Sequence, residues 1–575
     1  MSATLISSIA WVPRGASQRN PSLYILDDAE LERVSALARI QLTDAKEELR
    51  KASEAANKMG RADSNEEEEE EGTKVLEDGD GSDEGDWVDE DSDAMDVDDS
   101  APSKKTAAKA NDPDDLSKYD LDNYDDEEST DAISHFTNIH NIAHYKSNDE
   151  DPYITLKDND SDDEREELEI LPTDNLLVVA KTEDEISQLQ IHIYEETEEN
   201  LYVHHDLMLP NFPLCLEWLD FPPAGASSTD SASDSSSSGF GSYIAVGTFD
   251  PEIEIWSLDV VEAMYPNAVL GRPDKTKAHI PVPLGTGKKK KKKSKARETE
   301  DAYHVDAILG LSWNVKQRNF LASASADKTV KLWDLSRASD TTGALRSFKH
   351  HTNKVQAVQW NSFDPAVLLT GSYDRTVRTF DSRAPDGGVG VFLGSEVEAL
   401  KWDPWEESAL YVSLENGLVL NFDVRTLSSS TVPQPSPARF TLQAHTGPCS
   451  ALDLNRNVRG CLVTGGEDKV VKVWNVTRED GNDSVSLVTS RDLGIGKVFT
   501  ASFSPEASSP LTVAAGGSKA VMQIWDIGVN RDARRVFGSK IRTTGGERIF
   551  DDTYKDKGDG TGVVGLTSDG EESDE

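Results

Sequence analysis

The chain has 575 residues, 36% of them hydrophobic and 29% charged, with a formal net charge of −47. Residues 61–170 hold 41 Asp and Glu against 9 Lys and Arg, a block that repels itself and cannot bury enough apolar surface to offset chain entropy. No apolar run approaches the ~20 residues that span a bilayer, and Met1–Trp11 lacks the basic start and long apolar core of a secretory signal, so a soluble intracellular protein with no membrane partner is expected.

In chain order, LISSIAWVP (5–13) alternates as a strand. Leu31, Val34, Leu37, Ala38, Leu42, Ala45 and Leu49 recur at helical spacing and predict an amphipathic helix over 27–52. It would dock on the folded body or in a partner's groove. The acidic block follows. Inside it, SKYDLDNYDDEE (117–128) and SNDEDPYITLKD (147–158) set Tyr119, Tyr124 and Tyr153 among carboxylates. These are candidate linear motifs for a basic surface, with a plain disordered spacer as the alternative. Ser64, Ser161 and Ser568 each have an acidic residue three positions on, a pattern acidophilic kinases accept.

Strand patterns resume at NLLVVA (175–180), LQIHIY (189–194) and 201–209, then at PLCLEWL (213–219), YIAVGTFD (243–250) and EIEIWSL (252–258), around a Ser-rich stretch at 225–239. GKKKKKKSKAR (287–297) concentrates Lys288, Lys289, Lys290, Lys291, Lys292, Lys293, Lys295 and Arg297. Such a run reads as a nuclear-import signal for an importin, as a phosphate-contacting arm, or as a solvated linker. No aromatics interleave with the lysines, so base stacking is not suggested.

Beyond it the sequence repeats. LASASADKTVKLWDL (321–335), LLTGSYDRTVRTFDSR (368–383) and CLVTGGEDKVVKVWNV (461–476) align, each a strand, a tight turn at Asp327, Asp374 or Asp468, and a second strand. Trp333, Phe380 and Trp474 follow six residues after each Asp, and His304, His351 and His445 precede each unit. The pattern resembles the WD40 repeat. That resemblance implies a buried hydrogen-bonded chain within each blade: His304–Ser323–Asp327–Trp333, His445–Thr464–Asp468–Trp474, and His351–Thr370–Asp374. The last ends on Phe380, which has no N–H to donate, so it should be one bond short. Lys328, Arg375 and Lys469, which follow the turn aspartates, are read as turn residues rather than a basic rim.

Weaker copies around 397–425 and 499–527, with the one at 213–258, bring the count to six. A seventh blade takes its inner strand from 5–12 and the rest from 174–209. The expectation is therefore an all-β, seven-bladed WD40 β-propeller with a long disordered acidic insertion and a short N-terminal helix. Its parts are residues 1–13 as an inner strand, 14–60 as the helix segment, 61–170 as the insertion, 171–540 as the propeller with a basic loop at 272–303, and 541–575 as an acidic disordered tail. The outer strand of blade 7 is placed at ARRVFG (533–538). The acidic insertion and the Ser-rich stretch should leave one face and the lysine run the other, giving a charge-polarised disc. Cys215, Cys449 and Cys461 lack CxxC spacing and read as small core residues of a reducing compartment.

AWVPRGAS, YDLDNYDDEE, SNDEDPYITLKD, PTDNLLV, YVHHDLML, YIAVGTFDPEIEIWSLD and LASASADKTVKLWD occur in this order. Together they resemble the periodic tryptophan protein 1 family of nuclear and nucleolar WD40 proteins. The resemblance implies a scaffold in ribosome biogenesis, acting in large-subunit rRNA processing and assembly with a link to rRNA transcription, and partnered by pre-ribosomal proteins or pre-rRNA. A histone-binding chromatin propeller and a ubiquitin-ligase substrate receptor stay open as alternatives. The sequence holds no Walker loop, GxSxG, HExxH or carboxylate pair on rigid strands. No enzyme, cofactor, metal site or small-molecule substrate is expected.

Overall fold

A computed structural model describes residues 4–24, 168–184, 186–224, 240–271, 299–337, 343–429, 433–479, 482–541 and 562–566. The chain divides into two units, residues 1–25 with 161–575 and residues 26–160, and the second lies outside the described residues. So do the expected helix at 27–52, the islands with Tyr119, Tyr124 and Tyr153, the Ser-rich stretch, the lysine run, and Ser64, Ser161 and Ser568.

The first unit is a seven-bladed β-propeller built from antiparallel four-stranded sheets. The inner strands are Leu5–Val12, Pro213–Leu219, Ile308–Trp313, Val355–Trp360, Val397–Trp402, Ala451–Leu454 and Val498–Phe503. Each packs against the next, and the last packs against the first, so the ring closes. Burial follows position. Second strands such as Phe320–Ser325, Ala409–Leu414 and Thr512–Gly517 lie between two neighbouring sheets and are buried almost throughout. Their sequences are accordingly continuous runs of small and apolar residues rather than alternating ones. Inner strands show one face to the axis and bury the other, as in Val397–Trp402. Six of the seven carry a register shift near their start, after Ile6 in blade 1 and after the first residue in the other five, a bulge that bends the strand where it enters the sheet.

Blade 1 consists of Leu5–Val12, Asn175–Glu183, Ile186–Glu195 and Asn200–Leu209, in that order outward. Ile6 and Ile9 meet blade 7, where a Cβ on Gly516 would come within 2.7 Å of Ile6. Glycine is required there by the close approach of the two sheets. Arg14 straddles the same seam, donating to Asn175 Oδ1 at 3.0 Å and Glu196 at 3.1 Å in blade 1 and to Ser508 Oγ at 2.8 Å in blade 7.

Blade 7 corrects the sequence expectation. Residues 533–538 are not its outer strand, because Arg531–Phe537 is a helix. Asn530 caps it by accepting from the N–H groups of Asp532 and Ala533, and Ala533 and Phe537, four residues apart, share the buried face. Val536 packs on the same cluster, and apolar residues at i, i+3 and i+4 share one face of a helix, whereas a strand would turn Val536 away from the other two. The outer strand is instead Val563–Gly565, paired with Gln523–Trp525. The stretch 541–575, expected to be an acidic tail throughout, thus supplies the fourth strand of a blade. Cys449 and Cys461 are buried, Cys215 is half-buried, and all three are free thiols.

Candidate interaction surfaces of the propeller

Within blade 3, the His304 ring lies 2.9 Å from Asp327 through Nδ1 and 2.7 Å from Ser323 Oγ through Nε2. Trp333 Nε1 donates to the same Ser323 oxygen at 2.8 Å. A carboxylate only accepts, so Nδ1 carries the proton, and neutral Nε2 accepts from the Ser323 hydroxyl. Burial lowers the His304 pKa, against the pull of Asp327. Burial would raise Asp327, but its hydrogen bonds from His304 and Thr329 outweigh it and hold the carboxyl at about 2. The network is therefore a neutral imidazole against an ionised carboxylate, fully wired inside one blade.

Blade 6 repeats it, with His445 2.8 Å from Asp468 and 2.8 Å from Thr464, and Trp474 Nε1 donating to Thr464 Oγ1 at 2.9 Å. In blade 4, His351 lies 3.0 Å from Asp374 and 2.9 Å from Thr370. Phe380 donates nothing there and packs instead against His350 and Phe348, with ring centroids 4.6 and 5.0 Å away. These histidines and aspartates point into the sheets rather than into a cleft. Among the described residues, no group of three or more His, Cys, Asp or Glu could hold a metal.

Two sets of residues in these networks escaped the sequence reading. Thr329 and Thr376 donate to the turn aspartates at 2.6 and 2.5 Å. Lys331, Arg378 and Lys472 sit four residues after each Asp on the third strand. Lys331 is buried, and its Nζ donates to the Glu300 and Asp301 carbonyls at 2.6 and 3.3 Å. Lys472 Nζ donates to the Ala444 carbonyl at 2.6 Å. The periodic Asp-x-x-x-Lys/Arg spacing was the available signal. Lys328, Arg375 and Lys469 occupy the turns themselves with φ of 72°, 64° and 67° and are exposed.

The axial cavity, of about 540 Å³, is lined by inner-strand residues of all seven blades. A polar residue near the end of an inner strand reaches the next blade. Glu217 accepts from the Trp313 N–H at 2.9 Å, Ser312 from Trp360 at 3.2 Å, Gln359 from Trp402 at 2.7 Å, and Asp453 from Phe503 at 2.9 Å. Burial raises the Glu217 pKa, opposed by that N–H and by the charges of Lys401 and Arg456. These polar groups are spent on blade-to-blade seams, which leaves the surfaces at either end of the axis as the places for partners.

The inner strands end on one face, and connections enter them from the other. On the exit face, Ser22–Leu23 pairs in parallel with Val260–Val261 of blade 2, and the Ile170 N–H donates to the Arg19 carbonyl at 2.8 Å. The two roots of the acidic segment are thus fastened side by side. Each face carries both signs among the described residues. The exit face exposes Arg456, Arg459, Arg531 and Arg535, whereas the entry face has Glu396, Glu398, Glu415 and Glu467 near Tyr373 and Lys497. The expected simple polarisation does not extend to the propeller body.

The WD domain, G-beta repeat family matches residues 302–334, 343–381 and 437–475, the three blades with the wired histidines. An uncharacterized WD repeat-containing protein of Schizosaccharomyces pombe is 40% identical, over 97% of this chain and 95% of its own length. Periodic tryptophan protein 1 of Saccharomyces cerevisiae is 35% identical over 93% of this chain and 90% of its own length. A periodic tryptophan protein 1 homolog of Drosophila melanogaster is 28% identical over 93% and 97%.

Proposed function

The chain belongs to the periodic tryptophan protein 1 family, and from that membership we propose that it is a non-catalytic nuclear scaffold for assembly of the large ribosomal subunit. The observation that carries this reading is similarity to family members over nearly the whole chain, insertion included, rather than over the propeller alone. The repeated histidines and aspartates are taken up in structural networks within their blades, which supports a platform rather than an enzyme. Its role would be to hold pre-ribosomal proteins or pre-rRNA in the nucleolus, with a link to rRNA transcription. The run Lys288–Lys293 with Lys295 and Arg297 would serve import through an importin. Tyr119, Tyr124 and Tyr153 would anchor short acidic motifs on basic partners.

Sedimentation of nuclear extract through a sucrose gradient tests it. The chain should travel with large-subunit precursors and shift to light fractions after RNase treatment. Sedimentation with nucleosomes alone, or recovery at near-unit ratio with a cullin adaptor, would overturn it.

A further inference from the structure

On the exit face, the loop 455–460 (NRNVRG) joins the first two strands of blade 6 and exposes Arg456 and Arg459. The helix Arg531–Phe537 lies against it. Ala533 and Phe537 share an apolar cluster with Val458 and Cys461, and Val458 bridges to Ile541. With that face buried, the helix turns Arg531 and Arg535 to solvent. Lys540 follows, its Nζ donating to Asn475 Oδ1 at 2.6 Å. Burial lowers the Lys540 pKa, and the nearby Arg459 charge adds to it. Two segments about 75 residues apart in sequence (on the scale of two blades) thus converge on one basic surface.

Carboxylates stand nearby without pairing: Arg456 lines the mouth of the axial cavity, where its charge reaches Glu217, and the Arg459 charge reaches Asp403. Asp532 reaches Arg535 only at 3.7 Å, and no ion pair forms on Arg456, Arg459 or Arg531 among the described residues. In a chain of net charge −47, arginines left outside ion pairs are free to take up an anionic ligand. No large apolar side chain is exposed in 455–460 or 530–541. A protein partner would normally be gripped by aromatic or aliphatic anchors. A phosphodiester backbone needs only spaced donors, and the guanidinium fork matches a phosphate in two bonds.

We propose that the surface formed by Arg456, Arg459, Arg531, Arg535 and Lys540 binds the phosphate backbone of RNA. The phosphate chemistry follows from the surface itself, while the choice of RNA rests on the ribosome-assembly reading.

The test is fluorescence anisotropy of the full chain with a labelled unstructured RNA oligonucleotide, titrated across salt concentrations. The charge-reversal variant R456E/R459E/R535E changes only exposed side chains and should melt like the parent. Its binding should weaken at least tenfold, and its log K against log salt slope should shrink by about 2, as expected for three lost single-strand phosphate contacts. Should that variant unfold, Arg459→Gln and Arg535→Gln read the same loss singly. A folded variant with unchanged affinity and slope overturns the proposal, as does equally effective competition by a polyglutamate peptide. A DNA strand that binds as tightly as RNA overturns the choice of nucleic acid but not the phosphate site. Binding lost only when Lys288–Lys293 are replaced by alanine also overturns it. Co-sedimentation with ribosomal precursors is scored separately, so failure of this surface and failure of the assembly role are distinguishable.

Discussion

His192 lies on the third strand of blade 1, buried, with neither ring nitrogen hydrogen-bonded. Burial, with the Lys181 charge behind it, lowers its pKa to about 4. The folded state therefore favours the neutral ring. The stability this contributes is intact above the unfolded value of 6.5 and is lost as pH falls from there through about 4. The full loss is on the order of 3 kcal/mol. His192→Phe should narrow the difference in Tm between neutral and mildly acidic buffer, and an unchanged acid sensitivity would refute this. At the same scale, Trp333→Phe removes one donor and should cost about 1 kcal/mol in denaturant unfolding. Ser323→Ala strands both His304 Nε2 and the Trp333 N–H and should cost about 2–3 kcal/mol. Equal effects would mean that Ser323 is not the hub of the chain. These hubs were legible because Asp, Trp and His recur at fixed offsets. Thr329 and Lys331 were not, since a threonine or lysine beside a turn is ordinary on any exposed hairpin, and only the structure shows Lys331 buried.

Single elements were legible in proportion to their regularity. The second strands announced themselves as runs such as ALYVSL because both of their faces are covered. Blade 7 was misread at its edge. Ala533, Val536 and Phe537 stand at the spacing of one helix face, and Asn530 caps the helix they form. The true strand, Val563–Gly565, is only three residues long and sits inside an acidic stretch whose composition masks it. Gly562 enters it at φ 62°, and the Gly562 carbonyl accepts from the Asp526 N–H at 2.8 Å. Val563 and Val564 then pack on two different apolar clusters. A chain ending after residue 541 should leave the edge of Met522–Asp526 unpaired. Its Tm should fall by several degrees, on the order of 1–2 kcal/mol in a large β-domain, and Val564→Asp should reproduce most of the loss. A tail-less chain that melts like the parent would show that this strand adds nothing.

At the scale of the molecule, the ring is closed by packing between blades 7 and 1 rather than by sharing one blade between the two ends of the chain. The seven-fold count and the absence of catalytic motifs could be read from sequence, but the distribution of charge over the two faces could not. The loop 455–460 and the helix Arg531–Phe537 come together only through the fold. Deleting residues 1–12 removes the inner strand of blade 1 and the contacts of Ile6 and Ile9 with blade 7. Unfolding should lose cooperativity and Tm should drop for the whole propeller, as followed by calorimetry. A single unchanged transition would exclude a closing role for this strand.

The position of that strand also bears on how the protein is made. Leu5–Val12 emerges from the ribosome early, yet its nearest partner strand begins at Asn175. Trp11 donates to the Ser502 carbonyl across a separation of 491 residues. At about 5–20 residues per second of synthesis, an apolar β-segment waits on the order of a minute before both its neighbours exist. It is an unpaired strand until Asn175–Glu183 is made, and from then until blade 7 arrives it keeps the apolar face of Ile6 and Ile9 uncovered.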